Sequence, residues 1–282
     1  MITNLPSSIH DFEEMVSQFD YDRAVPLQVK EHGIEQKNGV SIHDINFTSL
    51  GEGHMKAYWV LPPTEGAAPF PGVIFVHPLP GDRSTFLEEA ALIAKQGIAS
   101  LVVEMPWAQG EDFVNSIEKP EQARQAFTRV VKDLRRAVDF VVSRSEIDID
   151  RLGYIGHSAG AFVGGVLSGV EKRIKAFVLV AGTGSFTDVA VCLMPDLQGQ
   201  VLEHYAQVLE PIDPVYYLGR AAPSVLFFQV GRRDEFFPNG KLLDYAEAGS
   251  EPKFVKWYDT EHYFKNCEEA QRDRLEWLQE QL

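Results

Sequence analysis

Apolar positions along the chain keep two different periods. At 42–48 and 54–61 apolar and polar residues alternate, with Met55, Ala57, Trp59 and Leu61 on one side of the second run. A period of two belongs to a strand with one buried face, and the pair reads as an antiparallel hairpin. From residue 72 the pattern changes. A short unbroken apolar run at 73–76 predicts a strand covered on both faces. The segment 98–103 reads as another buried strand, and the mainly apolar stretches 152–155, 174–180, 225–230 and 254–258 read as further strands. Between them, 84–96, 121–144, 158–167 and 267–282 predict helices. In the second of these, Phe127, Val130, Val131, Leu134, Ala137, Val138 and Val141 keep the 3.6-residue period. Strands alternating with helices form βαβ units, hence an α/β fold with a mostly parallel sheet and helices on both faces. Ligands are then expected at the carboxyl ends of the strands.

Two intervals break the alternation. Residues 1–40 are polar and mixed. Ser8 and Asp11 read as the start of a short helix with Phe12, Met15, Val16 and Phe19 on one face, an extension packed on a main domain at 41–282. Residues 182–222 carry apolar side chains at helical spacing and no buried strand, and are expected to form a small cap over the strand ends. The alternative for this insertion is an enlarged helical crossover lying against the sheet.

Composition narrows the function. The chain has 282 residues, 45% of them hydrophobic and 24% charged, enough for a large core in one domain. Its formal net charge is -15. Such a surface repels phosphate backbones and anionic headgroups, so neither nucleic acid nor membrane is expected as a partner. Cys192 and Cys267 are its two cysteines; they have no metal-ligand spacing and build no disulfide framework. The first residues lack a basic segment followed by an apolar one. Together these point to a reduced, cytoplasmic protein with no metal. Nothing here sets an oligomeric state.

The candidate chemistry begins at Gly156-His157-Ser158-Ala159-Gly160, which fits the G-x-S-x-G of a nucleophile elbow. The serine of such a turn sits between a strand and a helix in a strained backbone, and side chains two residues either side would strike neighbouring backbone. Glycine and serine are common, so the pentapeptide alone is a weak signal. Its context strengthens it, with the run 152–155 before and a small-residue helix after. A serine needs a base, and the base needs an orienting acid. In this arrangement the order is Ser, Asp or Glu, His. Asp234 follows the run 225–230 and His262 follows 254–258, so all three lie just past strand ends. Glu235 and Glu104 are the other candidate acids, with Asp213 behind them. His157 reads as a packing or supporting residue, His77 as shaping its own loop, and His204 as exposed.

The segments VIFVHPLPGD, YIGHSAGAFVGG, LFFQVGRRDEFFP and YDTEHYF resemble the α/β-hydrolase superfamily, and within it the branch of dienelactone hydrolase-like and acetyl xylan esterase-like enzymes. The resemblance runs from about residue 20 to 282. It implies an eight-stranded sheet and hydrolysis of small-molecule esters with no metal or organic cofactor. It also implies an oxyanion hole from two backbone N–H groups, one on Ala159 and one in the loop His77-Pro78-Leu79-Pro80-Gly81. Pro78 and Pro80 have no N–H, which leaves Leu79. Dienelactone hydrolases usually carry cysteine as nucleophile, and this chain has Ser158. Where His-Gly is common before the oxyanion loop, it has His77-Pro78.

The expected reaction is acyl transfer through Ser158, with His262 as base and Asp234 as its partner. Trp107, Phe113, Phe186, Met194 and Phe237 are expected to line an apolar acyl pocket, or else to belong to the core. A carboxylesterase, a thioesterase and a peptidase would all use the same three residues. A binding protein on a hydrolase scaffold is the alternative of another class.

Overall fold

Neighbouring strands pair antiparallel at one flank of the sheet and parallel through the rest, as the two periods imply. The computed structural model describes residues 9–51, 53–63 and 69–282; Ser8, the expected helix start, and the rest of 1–8 lie outside them. Helix α1 (Ile9–Ser17) is followed by strands β1 (Lys30–Lys37), β2 (Val40–Thr48), β3 (His54–Leu61) and β4 (Phe70–Val76). Next come α2 (Leu87–Ala94), β5 (Ala99–Val103), α3 (Glu111–Ser116), α4 (Pro120–Val142), β6 (Ile147–His157), α5 (Ala159–Val170) and β7 (Ala176–Val180). An insertion of α6 (Phe186–Leu193), α7 (Gly199–Leu209) and α8 (Val215–Leu218) precedes β8 (Val225–Gly231), α9 (Asn239–Glu247), β9 (Lys253–Tyr258) and α10 (Glu268–Gln281).

One sheet holds nine strands in the order β1-β2-β3-β5-β4-β6-β7-β8-β9. The β1–β2, β2–β3 and β3–β5 pairs are antiparallel, and the remaining pairs are parallel. This is the α/β-hydrolase fold. Eight strands were expected; β1 is the addition, and it corrects the reading of 1–40 as purely helical. Its sequence KEHGIEQK is exposed at every position. It is held by its ladder to β2 and by polar side-chain bonds from Glu31 to His43 and from His32 to Asn46, so no apolar period announces it.

β5 and β7 are buried at every residue, because helices cover both faces. On one side α2 and α10 bring Phe86, Ile93, Trp277 and Leu278 against Val73, Phe75 and Val102. On the other, α4, α5 and α9 bring Phe127, Leu134, Phe162 and Tyr245 against Ile74, Leu101 and Phe177. Helix α1 packs by its predicted face: Phe12 and Phe19 each set their rings 5.6 Å from that of Tyr217 in α8. Within the insertion, Tyr205 of α7 donates to the Ile117 carbonyl at 2.7 Å, and α8 lies on α5, where Tyr217 crowds Gly169. These two helices behave as a crossover, whereas α6 faces the strand ends.

Candidate active site

β6 runs into α5 with one residue, Ser158, between them. Ser158 has φ 52 and ψ -112, a conformation that costs a non-glycine residue roughly 1–3 kcal/mol and persists only when its surroundings enforce it. They do. The Ser158 N–H donates to the Val180 carbonyl at 2.8 Å, and its own carbonyl accepts from Phe162 at 2.8 Å. The flanking glycines are required by contact. A Cβ on Gly156 would lie 2.3 Å from the Gly160 carbonyl oxygen, and one on Gly160 would lie 2.3 Å from that of Val76. The turn therefore packs backbone on backbone, and it sets Ser158 at the start of a helix, where the local field favours negative charge.

The loops after β8 and β9 bring the other two side chains to it. His262 Nε2 lies 2.8 Å from Ser158 Oγ, and His262 Nδ1 lies 2.7 Å from Asp234 Oδ2. The other Asp234 oxygen accepts from the N–H groups of Phe236 at 2.9 Å and Phe237 at 2.8 Å. The Asp234 side chain is wholly buried and that of His262 is 3% exposed. A carboxylate so held accepts the Nδ1 proton, which leaves Nε2 free to accept the serine proton.

The rival acids sit elsewhere. Glu235 accepts the backbone N–H of His262 at 3.1 Å. Glu104 pairs with Lys56 and Arg83. Asp213 accepts from the Phe186 N–H at 2.6 Å and from Ser185 at 3.2 Å, and burial pushes its pKa up to about 8. Among the histidines, His204 is exposed beside Glu121. His77 is buried, and burial holds its pKa below the usual imidazole range. Its Nδ1–H donates to the Pro78 carbonyl at 2.9 Å while its Nε2 accepts the Met105 N–H at 3.0 Å. In that tautomer the Trp107 indole N–H donates to the His77 carbonyl at 3.3 Å. His77 thus braces the loop that carries Leu79.

Leu79, Ser158, Ala159 and His262 line a cleft of about 490 Å³, part of it open to solvent. Neither the Leu79 nor the Ala159 N–H donates to a backbone or side-chain acceptor among the described residues. The walls are apolar: Phe162 from α5, Val189 and Leu193 from α6, and Phe236, Phe237 and Tyr263 from the two loops. The thiol of Cys192 also lines it, with its pKa raised by burial and by the nearby Asp188 and Asp234 carboxylates. Among the described residues no group of three His, Cys, Asp or Glu side chains converges in a way that could hold a metal ion.

The expected pocket is therefore corrected in part. Phe237 lines it. Trp107, Phe113 and Phe186 are 1%, 4% and 0% exposed and form an aromatic chain through the core instead. Trp107 meets Phe113, Phe113 meets Phe127, and the Phe127 ring lies 3.8 Å from that of Phe186. Such large rings gain more from mutual burial than from a half-open cleft. Met194 is the C-cap of α6 and lies outside the lining. The lining residues not named in advance are Phe236 and Tyr263, neighbours in the chain of Asp234 and His262, Phe162 and Thr183, and Val189, Cys192 and Leu193, one face of α6. Adjacency to the acid and base was the available signal for the first two.

Residues 55–277 match the dienelactone hydrolase family. Mitochondrial acyl-coenzyme A thioesterase 2 of Mus musculus is 27% identical over 155 residues, covering 52% of this chain and 31% of that protein. Acyl-coenzyme A thioesterase 1 of Rattus norvegicus is 24% identical over 255 residues, covering 80% of this chain and 57% of the relative. The chain thus spans about a third to just over half the length of these curated relatives. An acetyl xylan esterase from a Paenibacillus species superposes with TM-score 0.78 at 18% identity, over 99% of this chain and 97% of that one. One from a Thermoanaerobacterium species gives 0.77 at 15%, over 98% and 95%. The structural likeness carries the fold, and the family match over most of the chain carries the kinship: this protein belongs to the dienelactone hydrolase family.

Proposed function

We propose that the protein is a serine hydrolase that cleaves carboxylic esters of small, apolar acyl groups through an acyl-enzyme intermediate. The observation that carries this reading is the unbroken chain from Ser158 Oγ through His262 to Asp234, with links of 2.8 and 2.7 Å, at the floor of an apolar cleft. Ser158 Oγ attacks the ester carbonyl as His262 Nε2 takes its proton. Asp234 holds the tautomer and stabilises the imidazolium. The Leu79 and Ala159 N–H groups receive the oxyanion. His262 returns the proton to the departing alkoxide, leaving the acyl group on Ser158. Water, deprotonated by His262, then attacks that ester, and the acid and free serine are restored. No bond change in this sequence needs a metal or organic cofactor. A reduced, cytoplasmic setting belongs to the same reading, supported by two cysteines that are both free thiols.

A second reading is thioester hydrolysis. It is favoured by the relatives whose names are acyl-coenzyme A thioesterases, and the same three side chains would perform it. A panel of esters and thioesters of graded acyl length separates the two by their kcat/KM ratios. Ser158→Ala is expected to lose turnover on every member by a factor on the order of 10⁴ or more. Near-normal turnover by that variant would overturn both readings.

A further inference from the structure

His262 has four hydrogen-bonding groups: its ring nitrogens meet Ser158 and Asp234, and its backbone N–H meets Glu235. The fourth is its carbonyl oxygen, which lies 2.8 Å from His157 Nε2. A carbonyl only accepts, so Nε2 carries the ring proton of His157. The His157 ring is buried, with its centroid 5.7 Å from that of His262. Burial, helped by the nearness of His262 and Arg274, pushes its pKa down to about 3. The donor is therefore neutral across the working range and does not compete for the proton that passes through His262.

We propose that His157 is a positioning residue: its Nε2–H holds the carbonyl of His262 and so ties the backbone of the base to the elbow that presents Ser158, while Glu235 ties the preceding amide to the loop of Asp234. The proposal rests on the serine-hydrolase reading and names what keeps its base in place. His157 and Ser158 are consecutive on one strained turn, so anything that holds His157 holds the nucleophile too. His262 has no such local constraint. It stands in a loop beyond β9, followed by left-handed backbone at Phe264 (φ 53) and Asn266 (φ 57). The same loop is stitched to the acid's loop by the Arg233 N–H on the Thr260 carbonyl at 3.0 Å. With the His157 bond, the acid, base and nucleophile loops form one rigid unit. A shift of about 1 Å in such an array costs on the order of 10²-fold in rate. The two halves of the clamp are unequal. Glu235 is exposed, so water can replace it, whereas nothing else reaches the buried His157 bond.

The test compares His157→Phe, which fills the ring's space without a donor, with His157→Gln, whose amide nitrogen reaches about as far as Nε2. His157→Phe is expected to lower kcat about 10- to 100-fold with KM changed less than threefold, and His157→Gln to recover at least fivefold of that loss. A packing role alone would not respond to restoring a donor. Turnover by His157→Phe within twofold of the wild type overturns the proposal, and so does a His157→Gln no faster than the Phe variant. Should His157→Phe not fold, His157→Leu, smaller and likewise without a donor, takes its place, with the same loss in kcat and the same recovery by His157→Gln expected, and the same results overturning the proposal. Ser158→Ala, assayed alongside, reports on the underlying reading separately, since its retained turnover would reject the hydrolase while leaving the His157 comparison to be read by itself.

Discussion

The rim that carries Ser158, Asp234 and His262 and the wall that faces it across the cleft are built on opposite plans. On the rim each reactive side chain stands on or a short loop beyond the end of a parallel strand, and backbone hydrogen bonds fix the loops. Asp234 alone accepts two backbone N–H groups besides the imidazole. The wall has no strand. Helix α6 offers Val189, Cys192 and Leu193, and the Phe236 ring, 40% exposed, leans over the imidazole at 4.7 Å between centroids. Apolar contact is non-directional, so such a wall tolerates change that the rim does not. On the proposed reading, the chemistry belongs to the strand ends and the choice of acyl group to the wall.

After Ser158→Ala, the largest effect expected on the rim comes from Asp234→Asn. The side chain keeps its shape but no longer favours the productive imidazole tautomer, and kcat should fall about 10³- to 10⁴-fold. Steady-state kinetics on a p-nitrophenyl ester measures it. A fall of less than tenfold would pass the acid's part to Glu235. Next is Gly160→Ala, whose Cβ would sit 2.3 Å from the Val76 carbonyl oxygen. Backbone must move, at a cost of about 3 kcal/mol or more in urea unfolding. Gly184, ahead of α6, is the matching position on the wall. Its Cβ would meet nothing nearer than 3.5 Å, so Gly184→Ala should stay within about 0.5 kcal/mol of the parent. Equal losses at the two sites would erase the distinction.

Leu193→Ala sharpens the comparison from the other side. Removing that wall should shift the ratio of kcat/KM for long over short acyl esters about tenfold, a size set by a few methylenes of contact. Its rate on the shortest ester should hold. Stability also changes with pH. The folded-state pKa of His157 is about 3, below the roughly 6.5 of an unfolded chain. The unfolded state therefore binds the extra proton between those values. The stabilisation is complete above pH 6.5 and is lost as pH falls toward 3, with a slope of up to about 1.4 kcal/mol per pH unit. Buried His77, lowered in the same direction, adds to it. His157→Phe should remove about one proton from this slope in denaturant titrations at pH 5, and an unaltered slope would show that His157 is not the group responsible.

Both the parallel strands and the rim were legible in the sequence, for one physical reason. A strand covered on both faces is built mainly of apolar residues, and the turn at Ser158 must be Gly-x-Ser-x-Gly because its backbones touch. The order of Ser158, Asp234 and His262, each after its own run, then located the array. β1 was not legible, since a strand exposed on both faces and held by its ladder leaves no apolar period. The cleft lining was legible only at Phe237 and the floor. Trp107, Phe113 and Phe186 carry the same composition as lining residues, and only packing sends them to the core: Phe113 and Phe186 on Phe127, and Trp107 on Phe113 and His77. Helix α6 shows apolar spacing on more than one face, so spacing alone does not tell which of them looks into the cleft.

The most direct measurement is to label the protein with a fluorophosphonate and map the modified residue by mass spectrometry, for the wild type and for His262→Ala. One adduct, on Ser158, with labelling slowed at least a hundredfold in the variant, is the expected result. A folded protein that takes no label, or an adduct on another side chain, would contradict the assignment of Ser158 and His262 as nucleophile and base.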